Sequence, residues 1–215
     1  KNFIKKKYKK KNDNDRIVCD KIKNINNRII IISSRKVYRN KFNLTEKSAT
    51  NPLCNYSKNK LKSEKFCEKI LSKRLIILRT SNLIGKRNYK NAIHKTFIDN
   101  FFKNIKQGKI EYNKKDYKDF LSVDQFSKVV YKILNTKNMN GIYNLSIGKR
   151  IYINEIVQWL LKYNNKTVKI NNKSNKKLEN FTLNNKKLCN KIKYKLKKKD
   201  LIKYCYKLSK ESFSK

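Results

Sequence analysis

Two runs of branched apolar residues constrain this chain most: Ile29-Ile30-Ile31-Ile32 running into Ser33-Ser34, and Leu75-Ile76-Ile77-Leu78 running into Arg79-Thr80. Neither alternates apolar with polar, which is the pattern of strands covered on both faces in a parallel sheet. Between them Leu61, Phe66, Cys67, Ile70 and Leu71 recur at helical spacing, predicting a helix over 55–72. Asn51-Pro52, with the only proline of the chain, marks the break before it. Strand, helix and strand at this spacing form a right-handed crossover, so the two strands are expected to lie parallel. Both end in small polar residues, Ser33-Ser34 and Thr80-Ser81-Asn82. Open α/β sheets hold their ligands at the carboxyl ends of strands, so these are site positions by geometry. For Ser81 a turn-forming role is the better reading.

The helix between the runs carries Tyr56 and Lys60, one turn apart on the same face. An ammonium beside a phenol favours the phenolate, which makes such a pair a base able to work near neutral pH. The spacing alone proves little, since Tyr194/Lys198 and Tyr206/Lys210 share it. The flanking sequence has to separate them.

Composition narrows the class. A chain of 215 residues, 38% hydrophobic, can bury a core of one or two domains. The net charge of +42 invites a nucleic-acid reading. The excess is lysine rather than arginine, though, and it accompanies an excess of Asn and Ile dispersed through the chain. That pattern favours genome composition over a nucleic-acid surface, which would gather Arg and aromatics on one face. The five cysteines (Cys19, Cys54, Cys67, Cys189, Cys205) form no CxxC pair and His94 is the only histidine, so no zinc site is expected. A reducing cytosol is the simplest setting, and no apolar run reaches the length of a membrane span.

The remaining elements follow from periodicity. A helix over 15–26 would turn Ile17, Val18, Ile22 and Ile25 inward, and one over 89–107 would turn in Ile93, Phe97, Ile98, Phe101, Phe102 and Ile105. Residues 116–123 read as extended. Asp124 is expected to cap a helix to Asn135 with Phe126, Val129, Val130, Ile133 and Leu134 inside. A strand over 142–146, a helix over 153–161 with Trp159 as packing, a short strand over 168–170 and a basic tail helix over 195–215 complete the reading.

Five segments, in order, carry a resemblance. Ile32-Ser33-Ser34-Arg35-Lys36-Val37-Tyr38 comes first, and Thr45-Glu46 and Thr50-Asn51-Pro52-Leu53 precede Tyr56-xxx-Lys60-Leu61-xx-Glu64. Leu78-Arg79-Thr80-Ser81-Asn82-Leu83-Ile84-Gly85, then Lys118-Asp119-Phe120-Leu121-Ser122-Val123-Asp124, then Gly141-Ile142-Tyr143-Asn144-Leu145-Ser146-Ile147-Gly148 follow. In these the chain resembles the extended short-chain dehydrogenase/reductases, the NAD-dependent sugar-nucleotide epimerase, dehydratase and reductase family. Neither of the other Tyr/Lys pairs has such flanks.

The resemblance implies NAD or NADP as cofactor and a nucleotide-sugar as substrate. Tyr56 becomes the acid/base, Lys60 its partner and a contact to the nicotinamide ribose, and Ser34 the hydroxyl that holds the reacting oxygen. Ser33 and Asn82 fall on the cofactor side, with Asn82 also facing the sugar. Lys118 stands where an arginine commonly reaches the nucleotide phosphates, and it lacks that residue's bidentate fork. The resemblance also implies a homodimer through the Tyr56 helix, while the cytoplasmic setting follows from the cysteine pattern above.

The departures are as informative. The chain's four glycines, at 85, 108, 141 and 148, make no glycine-rich dinucleotide turn, and Arg39 stands where a glycine usually follows Val-Tyr. The expected fold is therefore an α/β Rossmann-type parallel sheet lacking its first strands and that turn, with a small α+β substrate domain. Residues 1–85 would be the remaining half of the Rossmann-type domain and 86–215 mostly substrate domain, with 124–148 returning to the sheet. The chain is read as the C-terminal two-thirds of such an enzyme. A catalytically silent remnant and a basic nucleic-acid binder are the alternatives.

Overall fold

Strand β2 (Leu75–Thr80) is buried at every position, and the rest of the sheet forms around it. In the computed structural model, which describes residues 7–86, 97–172 and 178–213, β2 lies between β1 (Ile29–Ser34) and β7 (Gly141–Leu145). Both pairings are parallel, with Ile31 opposite Ile77 and Leu78 opposite Tyr143. The crossover from β1 to β2 runs through α2 (Asn55–Leu71), as the spacing of the two runs predicts.

Helices cover both faces. On one, Cys67 and Leu71 of α2 and Cys19 of α1 (Asn14–Lys21) pack against Ile31, Leu75 and Ile77. On the other, Ile76, Leu78, Tyr143 and Leu145 join the largest apolar cluster. That cluster also takes in Val129 and Ile133 of α4 (Val123–Leu134), Ile156 and Leu160 of α5 (Ile153–Leu160), and Leu201 and Leu208 of α7 (Lys198–Phe213). Ile98, Phe101 and Ile105 of α3 (Phe97–Lys106) belong to it as well. Phe102 packs against it partly buried, while the 89–96 part of that expected helix, with Ile93, lies outside the described residues, as does His94. Helix α6 (Lys186–Lys191) contributes Leu188.

Three two-stranded ladders lie outside the main sheet. β3 (Asn82–Ile84) runs parallel to β6 (Phe120–Ser122). β4 (Lys109–Tyr112) runs parallel to β9 (Lys169–Asn172), and β5 (Tyr117–Lys118) antiparallel to β8 (Ile151–Tyr152). Gly85 is required where the chain leaves β3: a Cβ there would stand 2.4 Å from Val123 Cγ1, at the first turn of α4.

Some expectations need correction. In α1 the buried residue is Cys19, while Ile17, Val18 and Ile25 are exposed, Val18 at 53%. The helix ends by Lys21, and it is Cys19, together with Arg16 lying 3.6 Å from the Phe66 ring centroid, that faces α2. The cap of α4 is Ser122, not Asp124. Ser122 Oγ accepts the Gln125 N–H (3.1 Å) and Gln125 Oε1 accepts the Ser122 N–H (3.2 Å), a reciprocal box that satisfies two orphan donors. Leu134, expected inward, is 58% exposed in the last turn. β1 is covered less completely than β2. It forms the edge of the described sheet, and Ile32 is 38% exposed.

A buried polar chain crosses these layers. Glu64 of α2 and Arg79 of β2 are almost fully buried and paired at 2.6 Å. Ser33 donates its hydroxyl to Glu64 Oε1. The Arg79 guanidinium lies 4.8 Å from the Tyr38 ring centroid, and Tyr38 donates to Asn144 Oδ1 at 3.0 Å. Asn144 donates its N–H to Glu46 (2.8 Å) and its amide to the Leu44 carbonyl (2.9 Å). Removing one member of a buried ion pair strands the other without solvent and costs about 3–5 kcal/mol. Arg79→Met should therefore lower the stability read from urea unfolding by about that amount. Glu64→Gln combined with Arg79→Met should recover much of it, because no charge is then left unpaired.

Candidate functional site

The carboxyl ends of β1 and β2 open into a cleft of about 510 Å³. Ser33, Ser34, Tyr56, Asn82 and Lys118 all line it, although they come from β1, α2, β3 and β5. Lys60 does not line it. Its ammonium lies behind β1, 2.6 Å from Asp15 Oδ2 and 3.0 Å from the Ile32 carbonyl, one turn along α2 from Tyr56.

Local structure explains how each residue is held. Ser34 ends β1 and accepts the Lys36 N–H (3.2 Å), capping the short 3-10 turn Arg35–Val37. Ser33 points its hydroxyl to Glu64, so its role at the cleft is structural on that side. Tyr56 lies in the first turn of α2, where Ser57 Oγ accepts the Cys54 N–H (3.2 Å) and so fixes the start of the helix. Lys118 pairs with Asp116 at 3.0 Å, both side chains about four-fifths buried. Asn82 is placed by its pairing with Phe120 across the β3–β6 ladder.

Sequence reasoning missed several residues here. Ser81, read as a turn residue, lines the cleft with a buried hydroxyl that has no hydrogen-bond partner. Arg35 and Lys36 also line it. Asp15 holds Lys60 from 45 residues away, and no local pattern announces such a pairing. Asp119, inside one of the five segments, is fully buried and accepts N–H groups from Gly148 (3.1 Å) and Leu183 (3.1 Å). It therefore ties the end of β7 and the segment before α6 to the strand pair beside the cleft.

Complete burial pushes the Asp119 carboxyl up to about 7, against the pull of the backbone N–H groups of Leu183, Gly148 and Ile147. An unfolded Asp releases its proton near pH 4, so between roughly pH 4 and pH 7 the folded chain binds more protons than the unfolded one. The stabilisation is full below about pH 4 and is lost as pH rises through about 7. Thermal midpoints across this window should show that decline, and Asp119→Asn should flatten it.

The cysteines differ in kind. Partial burial opposes ionisation of Cys54, but hydrogen bonds with Ser57 outweigh it and hold the thiol below its ordinary value. Burial raises Cys19, Cys67 and Cys205. Thiolate is the reactive form, so limiting iodoacetamide should label Cys54 first and these three only on unfolding, as peptide mass mapping would show.

A doubly covered parallel sheet with a polar cleft at the carboxyl ends of its strands defines a Rossmann-type α/β protein. The profile of the NAD dependent epimerase/dehydratase family matches residues 16–146, more than half of the chain. The chain belongs to that family of enzymes. Among solved structures it is similar to a UDP-N-acetylglucosamine 4-epimerase from Methanobrevibacter ruminantium in complex with UDP-N-acetylmuramic acid. The TM-score is 0.79 at 21% identity, covering 95% of this chain and 70% of that one. It is also similar to a UDP-glucuronic acid 4-epimerase from Bacillus cereus in complex with NAD (TM-score 0.72, 20% identity, 93% and 67% covered). A third is the Bordetella bronchiseptica enzyme WbmG in complex with NAD and UDP (TM-score 0.75, 20% identity, 93% and 64% covered). Comparison with curated proteins gave no match. Among the described residues no helix is long and apolar enough to cross a membrane, and no group of His, Cys, Asp and Glu could hold a metal ion.

Proposed function

We propose that this chain carries the reaction centre of an NAD-dependent epimerase or reductase acting on a nucleotide-linked sugar. The observation that supports this best is the convergence of Ser34, Tyr56, Asn82 and Lys118, from four separate elements, on one cleft. The family's dependence on NAD and the UDP-sugar complexes of the similar structures point the same way.

The residues present fit the reacting end of the cofactor. Ser81 offers a buried hydroxyl without a protein partner, Asn82 stands beside it, and Tyr56 faces the same space. No glycine-rich turn exists among the four glycines to receive a pyrophosphate, so the fit is to the nicotinamide and sugar end. NAD, when bound, supplies the hydride acceptor.

The chain's own groups would manage the proton. Loss of a hydride from a carbinol carbon requires the hydroxyl proton to leave as well, and Tyr56 takes it; in the reverse direction Tyr56 returns it to the carbonyl oxygen. Ser34 holds that oxygen by a hydrogen bond. Lys60 supplies positive charge one turn from Tyr56, and Asp15 and the Ile32 carbonyl keep it there. Lys118 stands across the cleft on the substrate side, within the part formed by 86–123 and 149–215. Assembly as a homodimer through α2 and a cytoplasmic setting belong to the same proposal.

The test is calorimetric binding of NAD and UDP-sugars to this chain and to a version extended upstream, followed by turnover. Tyr56→Phe should lower turnover by about 10²–10⁴ while leaving NAD affinity unchanged. Turnover unaffected by that change, or the absence of dinucleotide binding by either protein, would sink the proposal.

A further inference from the structure

Arg35 is the residue that the proton chemistry leaves unexplained. It opens the 3-10 turn directly after Ser34, is only 4% exposed, and nevertheless lines the cleft. Its guanidinium lies 3.8 Å from the Phe181 ring centroid, and Nη1 donates to Asn40 Oδ1. The other edge is poorly served. Nη2 stands 3.7 Å from Glu179 Oε2, too far for a hydrogen bond, and Nε is buried without a partner.

A buried cation with half its donors unmet is costly, and the deficit has a shape. Nε and Nη2 form one side of the planar fork, and that side matches the two oxygens of a carboxylate in parallel hydrogen bonds. Burial lowers the pKa of Arg35 to about 10, which still leaves it a cation at neutral pH. Among the described residues that line the cleft Glu179 is the one carboxylate, and its side chain is 59% exposed. It therefore sits loosely where a ligand carboxylate would bind, and can give way to one. Lys118 cannot take the role as readily, since Asp116 already holds its ammonium at 3.0 Å.

We infer that the Nε/Nη2 edge of Arg35 recognises a carboxylate on the sugar, so that the substrate is a nucleotide-linked acidic sugar rather than a neutral one. This rests on the nucleotide-sugar reading above and narrows it. Because Arg35 follows Ser34 in the chain, the anion it meets is a substituent of the reacting ring. The nucleotide diphosphate is the other source of negative charge in such a ligand, and the experiment separates the two.

The experiment is titration of this chain with UDP-glucuronic acid, UDP-glucose and UDP, at about 0.3 M salt so that the general positive charge is screened. The expected result is at least tenfold tighter binding of UDP-glucuronic acid than of UDP-glucose. Arg35→Gln should abolish that preference while leaving UDP-glucose and UDP unchanged, and Glu179→Gln should tighten UDP-glucuronic acid alone. Equal affinity of the unmodified chain for the two sugars overturns the inference, and that comparison needs no variant to fold. Loss of all three ligands equally in Arg35→Gln also overturns it, by assigning Arg35 to the phosphates or to the fold. If the unmodified chain binds none of the three, the nucleotide-sugar reading itself fails and carries this one with it.

Discussion

The buried pairing of Glu64 with Arg79 is the interaction on which the arrangement of the sheet and the cleft depends. It joins the helix that carries Tyr56 to the strand that ends beneath Ser81 and Asn82. Ser33 adds β1 to the same carboxylate, and Tyr38 and Asn144 extend the chain of contacts to β7. Two charges inside an apolar sandwich are an expensive way to hold elements together, and hydrophobic residues of similar volume often do it as well. What the charges add is register: only one sliding position of α2 over β1 and β2 brings both partners within 2.6 Å. Since Tyr56 lies two turns before Glu64 on the same helix, that register also decides where the phenol meets the cleft.

Much of this was legible because the signals are local. Unbroken branched runs announced β1 and β2, and helical spacing announced α2 with its boundaries nearly unchanged. Where neighbours compete for one role, local reading failed. Both Ser122 and Asp124 are good helix caps, and the choice between them turned on Gln125 being three residues from the serine. For α1 the periodicity marked a stripe of isoleucine and valine, but a helix of eight residues has room for one contact row, and Cys19 occupies it. Leu134 was misread because the last turn of a helix can leave the layer it packs against.

The cleft divides in the same way. Residues lying at strand ends or on the Tyr56 helix could be named from order and spacing. Asp15 and Arg35 could not, because what makes them matter is an encounter with distant chain: Lys60 for one, Phe181 and Glu179 for the other. Ser81 is a different case. Its position was visible, but the lack of any partner for its hydroxyl is a property of the packed structure.

The position of β1 has a practical consequence for the behaviour of this polypeptide in solution. Among the described residues its outer side pairs with no strand, and Ile32 lies open on one face. Such an edge is a template on which a second extended chain can add. Lys60, reaching the Ile32 carbonyl, blunts one acceptor of that row and leaves the inward-facing register intact. An association that starts at this edge has no geometric stop, because each added copy offers the same open edge again, whereas a two-fold pairing closes at two copies.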